Sequence, residues 1–198
     1  MTVLLRITIL TAIAAALVGF GAYAQTTGTF KDSRDGKTYK TVTIDGKTWM
    51  AENLNFAAKG SKCYEDKDAN CAKYGRLYDW NTALKACPAG YHLPTDDDWT
   101  ELTDAVGGSK TAGTKLKSAA GWNEDGNGTD DYGWSAVPGG IGDYGGDFGG
   151  AGMKDLWWSA TERDRAAAWY RIAKYNYEYV GRYNDYKKST YSVRCVQD

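Results

Sequence analysis

The chain is 198 residues long and close to electrical neutrality, with 24 basic and 25 acidic side chains. That balance leaves no electrostatic footprint for a nucleic-acid partner. Its 24 glycines, 15 tyrosines and 8 tryptophans, against 3 prolines, predict a turn-rich fold whose core is built largely from aromatic rings.

The first 24 residues have the layout of a signal peptide. Arg6 precedes a mostly apolar stretch at residues 7–20, and Ala22-Tyr23-Ala24 offers small residues at the two positions that a signal peptidase recognises. The stretch is shorter than the roughly 20 apolar residues of a spanning helix, which favours cleavage over a retained anchor. We therefore expect residues 25–198 to form one domain that is secreted, in the periplasm or at the cell surface, without a membrane span.

A β-hairpin is the first element predicted in the mature chain, after a short polar lead at residues 25–29. Thr38 to Ile44 alternates β-forming and polar residues and lies between the turn dipeptides Asp35-Gly36 and Asp45-Gly46. This pattern predicts a strand, a tight turn and a second strand that enters Trp49-Met50.

Two helices are predicted next. Leu77, Trp80 and Leu84 recur at helical spacing, which predicts a helix within residues 76–86. Thr95 is a suitable N-cap for a second helix, because three aspartates follow it where the helix dipole favours negative charge. A Gly-Gly pair is expected to end that helix.

The remaining chain is predicted as a long loop followed by strands. Residues 109–153 show almost no periodicity and are largely rich in Gly, Asp and Asn, but their aromatic residues favour an ordered loop. Residues 156–159 and 167–180 have strand-like composition, and a further strand at residues 191–196 closes the chain.

Four cysteines lie in the expected mature chain. An even number in an exported chain favours disulfides over metal ligands, and four cysteines allow three pairings. We prefer Cys63–Cys71, which closes a short loop, and Cys87–Cys195, which ties the middle of the chain to its end. A zinc site is the alternative, although the spacings contain no CxxC pair and the lone histidine has no HxxxH partner.

Several long motifs occur in an order that resembles a known family. They are DGKTYKTVTIDGKTWMAENLNF, CAKYGRLYDW, ACPAGYHLPTDDDWTEL, GNGTDDYGWSAVPGG, WWSATE and YSVRCVQD. From about Phe30 to Asp198 the chain resembles the Fibrobacter succinogenes major paralogous domain, a module of secreted and surface bacterial proteins. The GYHLPTDDDW stretch is also similar to sulfatase-modifying factors and to retroelement-diversified binding proteins.

The resemblance implies an α+β, C-type lectin-like fold. Such a fold has two helices, a twisted antiparallel sheet whose first and last strands pair, and a long Gly-rich loop region that often carries the binding site. It also implies a bridge between Cys87 and Cys195. It implies no particular activity, because the fold hosts many functions.

Catalysis has little support in the sequence, and we expect the protein not to be an enzyme. The similar sulfatase-modifying factors use reactive cysteines near their C-terminus, whereas here Cys195 is the single cysteine in that region and is assigned to a disulfide. His92 has no Ser or Cys nucleophile in a recognisable motif, so a structural role is expected for it.

An oxygen-rich cluster in the long loop makes calcium the one cofactor that the sequence suggests. Asp125, Asn127, Asp130 and Asp131 supply the oxygen ligands that calcium prefers, at a spacing that resembles the start of an EF-hand loop. The rest of that pattern fails, because Asp130 replaces the invariant glycine and Ala136 stands in place of the bidentate glutamate. The alternative is that these side chains make turns and Asx hydrogen bonds.

The strongest candidate site is a Tyr-rich surface before the last strand. In a strand over residues 167–180, Trp169, Tyr175, Tyr177 and Tyr179 would share one face. Rings with adaptable polar neighbours are typical of recognition surfaces, and tyrosine also stacks on the apolar faces of sugars. The alternative is that half of the rings pack inward. The predicted members are Trp169, Tyr175, Tyr177, Tyr179, Arg182, Tyr183, Asn184 and Tyr186.

These observations predict a secreted, non-catalytic binding module whose ligand is a polysaccharide or a cell-surface protein. A structural or assembly subunit of a cell-envelope complex is the alternative, and an enzyme related to the sulfatase-modifying factors is a third, weaker hypothesis. Neither nucleic acid nor a membrane is an expected partner of the mature domain.

Overall fold

The computed structural model describes residues 25–198, and the expected signal peptide at residues 1–24 lies outside the described residues. None of the helices formed by residues 25–198 is long and apolar enough to span a bilayer. The strands are β1 Thr26–Lys31, β2 Thr38–Ile44, β3 Lys47–Met50, β4 Tyr91–His92, β5 Gly139–Gly142, β6 Phe148–Ala151, β7 Lys154–Glu162, β8 Ala167–Lys174, β9 Gly181–Tyr186 and β10 Val196–Gln197. The helices are α1 Asp68–Tyr74, α2 Trp80–Ala83, α3 Asp96–Ala105 and α4 Ser109–Leu116.

The first sheet is antiparallel, in the order β1-β2-β3-β10-β4. Its β2–β3 hairpin is confirmed, and Asp45 and Gly46 at the turn have φ of 47° and 80°, as a tight hairpin turn requires. The predicted polar lead is wrong, because residues 26–31 form β1 and pair with β2. The implied pairing of first and last strands is also wrong, since β10 lies between β3 and β4.

The second sheet is mixed, in the order β6-β5-β7-β8-β9, with β5 and β7 parallel and the other neighbours antiparallel. The α+β class is confirmed, but residues 25–198 form two sheets where one antiparallel sheet was expected. Part of the difference comes from residues 109–153. This segment was predicted to be a loop and instead contains α4, β5 and β6.

Residues 25–198 form four α-helices in place of the expected two helices, and a single 3-10 turn at Tyr64–Asp66. The helix after Thr95 is confirmed as α3. Its capping box joins Asp98 N to Thr95 Oγ1 at 3.1 Å and Thr95 N to Asp98 Oδ2 at 2.8 Å. The helix predicted within residues 76–86 shrinks to the single turn of α2. Leu77 instead bridges to Lys62, and Leu84 is 41% exposed, so no continuous apolar helix face exists there.

Aromatic rings form much of the core, as the composition predicts. Trp49, Trp99, Trp134 and Trp157 contact one another between the two sheets and α3, with ring centroids 5.2–6.4 Å apart. A second buried cluster contains Trp158, whose ring stacks on that of Tyr191 with centroids 4.4 Å apart. Each such pair adds about 0.5–1.5 kcal/mol beyond the area that it buries.

Both preferred disulfides are present, and residues 25–198 contain no free cysteine. Cys63–Cys71 fastens α1 to the segment before it. Cys87–Cys195 joins the segment after α2 to the residue that precedes β10. In the chain-entropy model, closing the long loop between Cys87 and Cys195 raises the free energy of unfolding by about 4–5 kcal/mol.

Asn53, just after β3, connects the two sheets through buried hydrogen bonds. Its Nδ2 donates to Asp155 Oδ2 on β7 at 2.8 Å and lies 3.2 Å from Ser192 Oγ. Its Oδ1 accepts from Trp157 Nε1 at 3.0 Å and from Arg194 Nε and Nη2 at 3.1 and 2.9 Å. One amide therefore serves both a buried carboxyl and a buried guanidinium.

Candidate functional site

The predicted Tyr-rich surface is not built on one strand. β8 ends at Lys174, and residues 175–180 form a turn-rich connection to β9, so the shared strand face expected from Trp169 to Tyr179 is wrong. The backbone of this connection is bound elsewhere. Tyr175 N donates to Met153 O at 2.8 Å and Val180 N donates to Ser109 O at 3.2 Å.

Trp169, Arg182 and Asn184 form one of three separate groups. Trp169 lies opposite Asn184 across β8 and β9, and the Arg182 guanidinium covers its ring at 3.4 Å from the centroid. Asp96 at the start of α3 accepts from Arg182 Nε at 2.7 Å and from Arg171 Nη2 at 2.9 Å. Arg182 therefore has both an acidic and an aromatic partner within the protein, and one face of the Trp169 indole is covered.

Tyr177, Tyr179 and Tyr183 form the second group, in which hydrogen bonding to Tyr177, and then to Tyr183, raises the pKa of Tyr179. The rings of Tyr177 and Tyr179 stack at 4.4 Å, and Lys174 Nζ donates to the Tyr177 hydroxyl at 3.3 Å. The neighbouring Tyr179 hydroxyl, and then Lys174, lower the pKa of Tyr177. Tyr175 differs, because it is half-buried against the core cluster that contains the four tryptophans. The inward-packing alternative therefore holds for Tyr175.

Tyr186 belongs to the third group, which includes a residue that the sequence did not single out. Tyr144 and Tyr186 are 67% and 55% exposed, and their rings meet edge to face with centroids 5.4 Å apart. They border a concavity of about 480 Å³, named here the Tyr144–Tyr186 groove. Its other lining residues are Asn81, Arg165, Ala166, Lys187 and Lys188.

A tight turn presents Tyr144 to solvent at the tip of the β5–β6 hairpin. Asp143 N donates to Asp147 O at 2.9 Å, and Gly146 N donates to Asp143 O at 3.0 Å. Gly146 has a φ of 97°, which glycine adopts without strain. The signal in the sequence was an aromatic residue inside Gly-Asp-Tyr-Gly-Gly-Asp, since a ring in so short a turn has little to pack against.

The hairpin lies beside Tyr186 because its first strand is bound to the chain that follows β9. Gly142 N donates to Thr190 O at 3.0 Å, and Thr190 N donates to Gly142 O at 2.7 Å. A Cβ at Gly142 would lie 2.4 Å from Thr190 Oγ1, so glycine permits this approach. The pairing brings Tyr144 and Tyr186 to the same groove.

Lys187 is the groove residue with the most contacts to neighbouring segments. Its backbone O accepts from Trp80 N and its N donates to Ala166 O, both at 3.0 Å. Its Nζ pairs with Glu162 and lies 4.5 Å from the centroid of the Trp80 ring. Lys187 is therefore fixed through both its backbone and its side chain.

Two of the four predicted calcium ligands accept hydrogen bonds within their own loop. Asn127 Oδ1 accepts from Trp122 N at 3.0 Å, while Asp130 accepts from Ser135 N at 2.7 Å and from Ser135 Oγ at 2.5 Å. Over residues 25–198, no three His, Cys, Asp or Glu side chains lie close enough together to hold a metal ion. The hydrogen bonds of Asn127 and Asp130 are those of the turn-forming alternative. Calcium binding by Asp125, Asn127, Asp130 and Asp131 stays a prediction.

His92 bridges two parts of the chain. Its Nδ1 lies 2.7 Å from Asp198 Oδ1 and its Nε2 lies 3.4 Å from Asp98 Oδ2. These contacts join the C-terminal residue to the capping box of α3, which is a structural role.

The profile of one protein family, described as the Fibrobacter succinogenes major domain, matches residues 42–197. The match covers well over half of the chain and includes both disulfides and the whole Tyr144–Tyr186 groove. No curated protein and no solved structure gives a significant match.

Proposed function

The chain belongs to the Fibrobacter succinogenes major domain family, and on that premise we propose that it is a non-catalytic module that binds a polysaccharide through the Tyr144–Tyr186 groove. The observation that carries the proposal is the pair of tyrosine rings, both more than half exposed and held edge to face beside a concavity. Exposed apolar groups beside a concave surface are characteristic of binding sites.

A sugar chain suits this groove for two reasons. The C–H faces of sugar rings are apolar, so they gain from contact with the exposed tyrosine faces, while their hydroxyl groups exchange hydrogen bonds with Asn81 and with the tyrosine hydroxyls. The walls are held by backbone hydrogen bonds at Gly142, Thr190 and Lys187. Little ordering is therefore needed on binding, and a preorganised site loses less free energy to it.

The proposal extends to the location and the fold of the module. We propose that the signal peptide is cleaved after Ala24 and that the module functions outside the cytoplasm. The two disulfides support this location, because such bonds persist in oxidising compartments. We assign the fold to the C-type lectin-like class. The position of β10 supports this assignment. This strand adds the end of the chain to the sheet that contains β1, and the Cys87–Cys195 disulfide holds it there.

A subunit of a cell-envelope assembly is the second candidate. The observation in its favour is that β9 forms an edge of the second sheet, where a strand of another protein could add. An enzyme related to the sulfatase-modifying factors has less support, because Cys195 is held in a disulfide.

Replacing Tyr144 and Tyr186 together by Ala is expected to weaken polysaccharide binding more than about tenfold, because both stacking surfaces are lost. The measurement is a pull-down of residues 25–198 with a panel of cell-wall polysaccharides, followed by titration with those that bind. Tyr183→Ala is the matched control, since Tyr183 is 45% exposed on the same strand as Tyr186 but lies outside the groove.

The double variant must first unfold at the same temperature as the wild type. Unchanged binding by a folded double variant, or an equal loss in Tyr183→Ala, would show that the groove is not the site. Wild-type protein that binds no polysaccharide but forms a cross-linked complex of defined size would favour the assembly subunit.

A further inference from the structure

We infer that the ligand of the Tyr144–Tyr186 groove is an acidic polysaccharide whose sugar units carry carboxylate groups. The inference rests on the proposed function and narrows its ligand class. It comes from the charges of the groove rather than from its aromatic rings.

Cationic side chains line the groove, and no carboxylate does. Arg165, Lys187 and Lys188 contribute the charge. Lys187 is already paired with Glu162 and covers a buried indole. Arg165 and Lys188 are exposed, and no ion pair within residues 25–198 includes either of them. Two cations therefore remain available to a ligand.

Four carboxylates near the groove residues in sequence have partners of their own. Glu162 pairs with Lys187, and Asp164 Oδ1 accepts two backbone N–H groups at 2.8 and 3.0 Å. Asp185 Oδ2 accepts from two hydroxyl groups, and Asp143 Oδ1 accepts a backbone N–H within the Tyr144 turn at 3.0 Å. None of these acids lines the groove. The available positive charge is consequently not balanced by the groove itself.

The chemistry of these cations fits a carboxylate. A guanidinium presents parallel N–H groups that match the two oxygens of a carboxylate, and such charge-assisted hydrogen bonds are stronger than neutral ones. A neutral sugar chain would use the tyrosine rings but leave both charges without a partner. The combination of a stacking surface with free cations therefore favours a chain that has apolar ring faces and repeated negative charge.

Pairs of polysaccharides with the same backbone separate the charge from the stacking. Polygalacturonate is compared with its methyl ester, and carboxymethyl cellulose with hydroxyethyl cellulose, by titration of residues 25–198 at about pH 7. Two exposed ion pairs of ordinary strength predict that the wild type binds the acidic member about two- to thirtyfold more tightly than the neutral one. Raising the salt from about 50 mM to about 500 mM should reduce that preference, because exposed charges are screened.

The double variant Arg165→Gln/Lys188→Gln should bring the ratio of acidic to neutral affinity close to one. The control Lys31→Gln/Lys40→Gln removes two exposed charges from the first sheet, outside the groove, and should keep the wild-type ratio. Equal or tighter binding of the neutral members, or loss of the preference in the control, would overturn the inference while the proposed function stands. Binding to no member of either pair, nor to the wider panel, would overturn both.

Discussion

Asn53 carries several of the polar contacts between the two sheets. An amide presents a donor and an acceptor at once, so Asn53 meets the Asp155 carboxyl with its Nδ2 and the Arg194 guanidinium with its Oδ1. A carboxylate could not donate, and an apolar side chain would leave both groups without that partner. The residue type therefore follows from its place between groups of opposite charge.

Replacing Asn53 by Ala is expected to lower the free energy of unfolding by about 3–5 kcal/mol, because buried Asp155 and Arg194 each lose a partner. Urea denaturation measures the change. The matched control is Asn176→Ala at an exposed turn position, which should cost less than about 0.5 kcal/mol. A cost below about 1 kcal/mol in Asn53→Ala would show that water or neighbouring groups replace the amide.

At the scale of elements, the β5–β6 hairpin matters because its position decides where Tyr144 lies. Two backbone hydrogen bonds between Gly142 and Thr190 hold it beside the end of β9. The hairpin is short and contains several glycines, so few side-chain contacts of its own would keep it there. The close approach at Gly142 thus controls the position of Tyr144 in the groove.

Gly142→Ala is expected to destabilise the protein by about 1–3 kcal/mol and to weaken polysaccharide binding, because the new Cβ displaces Thr190. Adding Thr190→Ala, which removes the clashing Oγ1, should restore part of both losses. Gly149→Ala is the control on the same hairpin, since a Cβ there meets no atom within 4 Å. Thermal unfolding and binding titrations measure the effects, and equal losses in the two single variants would refute the clash.

The elements that could be predicted are those whose signals are local. Thr95 and Asp98 predict the cap of α3, and Asp45-Gly46 predicts the β2–β3 turn. The alternating tyrosines after Lys174 mimic a strand, but their backbone bonds run to Met153 and to α4, which no local pattern reveals. β5 and β6 are rich in glycine and show no alternation, so their pairing was equally hidden.

In the candidate site, too, only the residues with a local signal in the sequence could be predicted. Tyr186 could be predicted because it lies in a Tyr-rich segment, whereas its partner Tyr144 is brought to it by the contact between Gly142 and Thr190. The disulfide pairs, in contrast, could be preferred from the sequence. With three pairings available, a short loop and a link to the chain end were sufficient to choose.

For the whole molecule, the buried carboxyl of Asp155 couples stability to pH. Burial raises the pKa of Asp155 to about 7, against the opposing effects of hydrogen bonds from Ser192 and Asn53 and of the Arg194 charge. In the unfolded chain the ordinary value is 3.8. Because the folded state holds this proton more tightly, the stability it contributes is complete below about pH 4 and is lost as the pH rises through about 7.

Relative to the wild type, Asp155→Asn should therefore become more stable as the pH rises from about 4 to about 8, by up to about 4 kcal/mol. Any fixed cost of the substitution cancels in that comparison. Urea denaturation at several pH values measures it, with Asp131→Asn as the control for loss of one exposed carboxylate. A difference between variant and wild type that does not change with pH would mean that Asp155 is ionised throughout.

The Cys87–Cys195 bridge also decides how the module responds to tension. A force applied between residues 25 and 198 would pass from Cys87 directly to Cys195 through the covalent bond. The intervening chain would carry no load, and Tyr144, Tyr186 and the other groove residues beyond Cys87 lie within it. A ligand held there would contact a surface of which all but Asn81 lies outside the path of the force, while the segment before Cys87 is stretched.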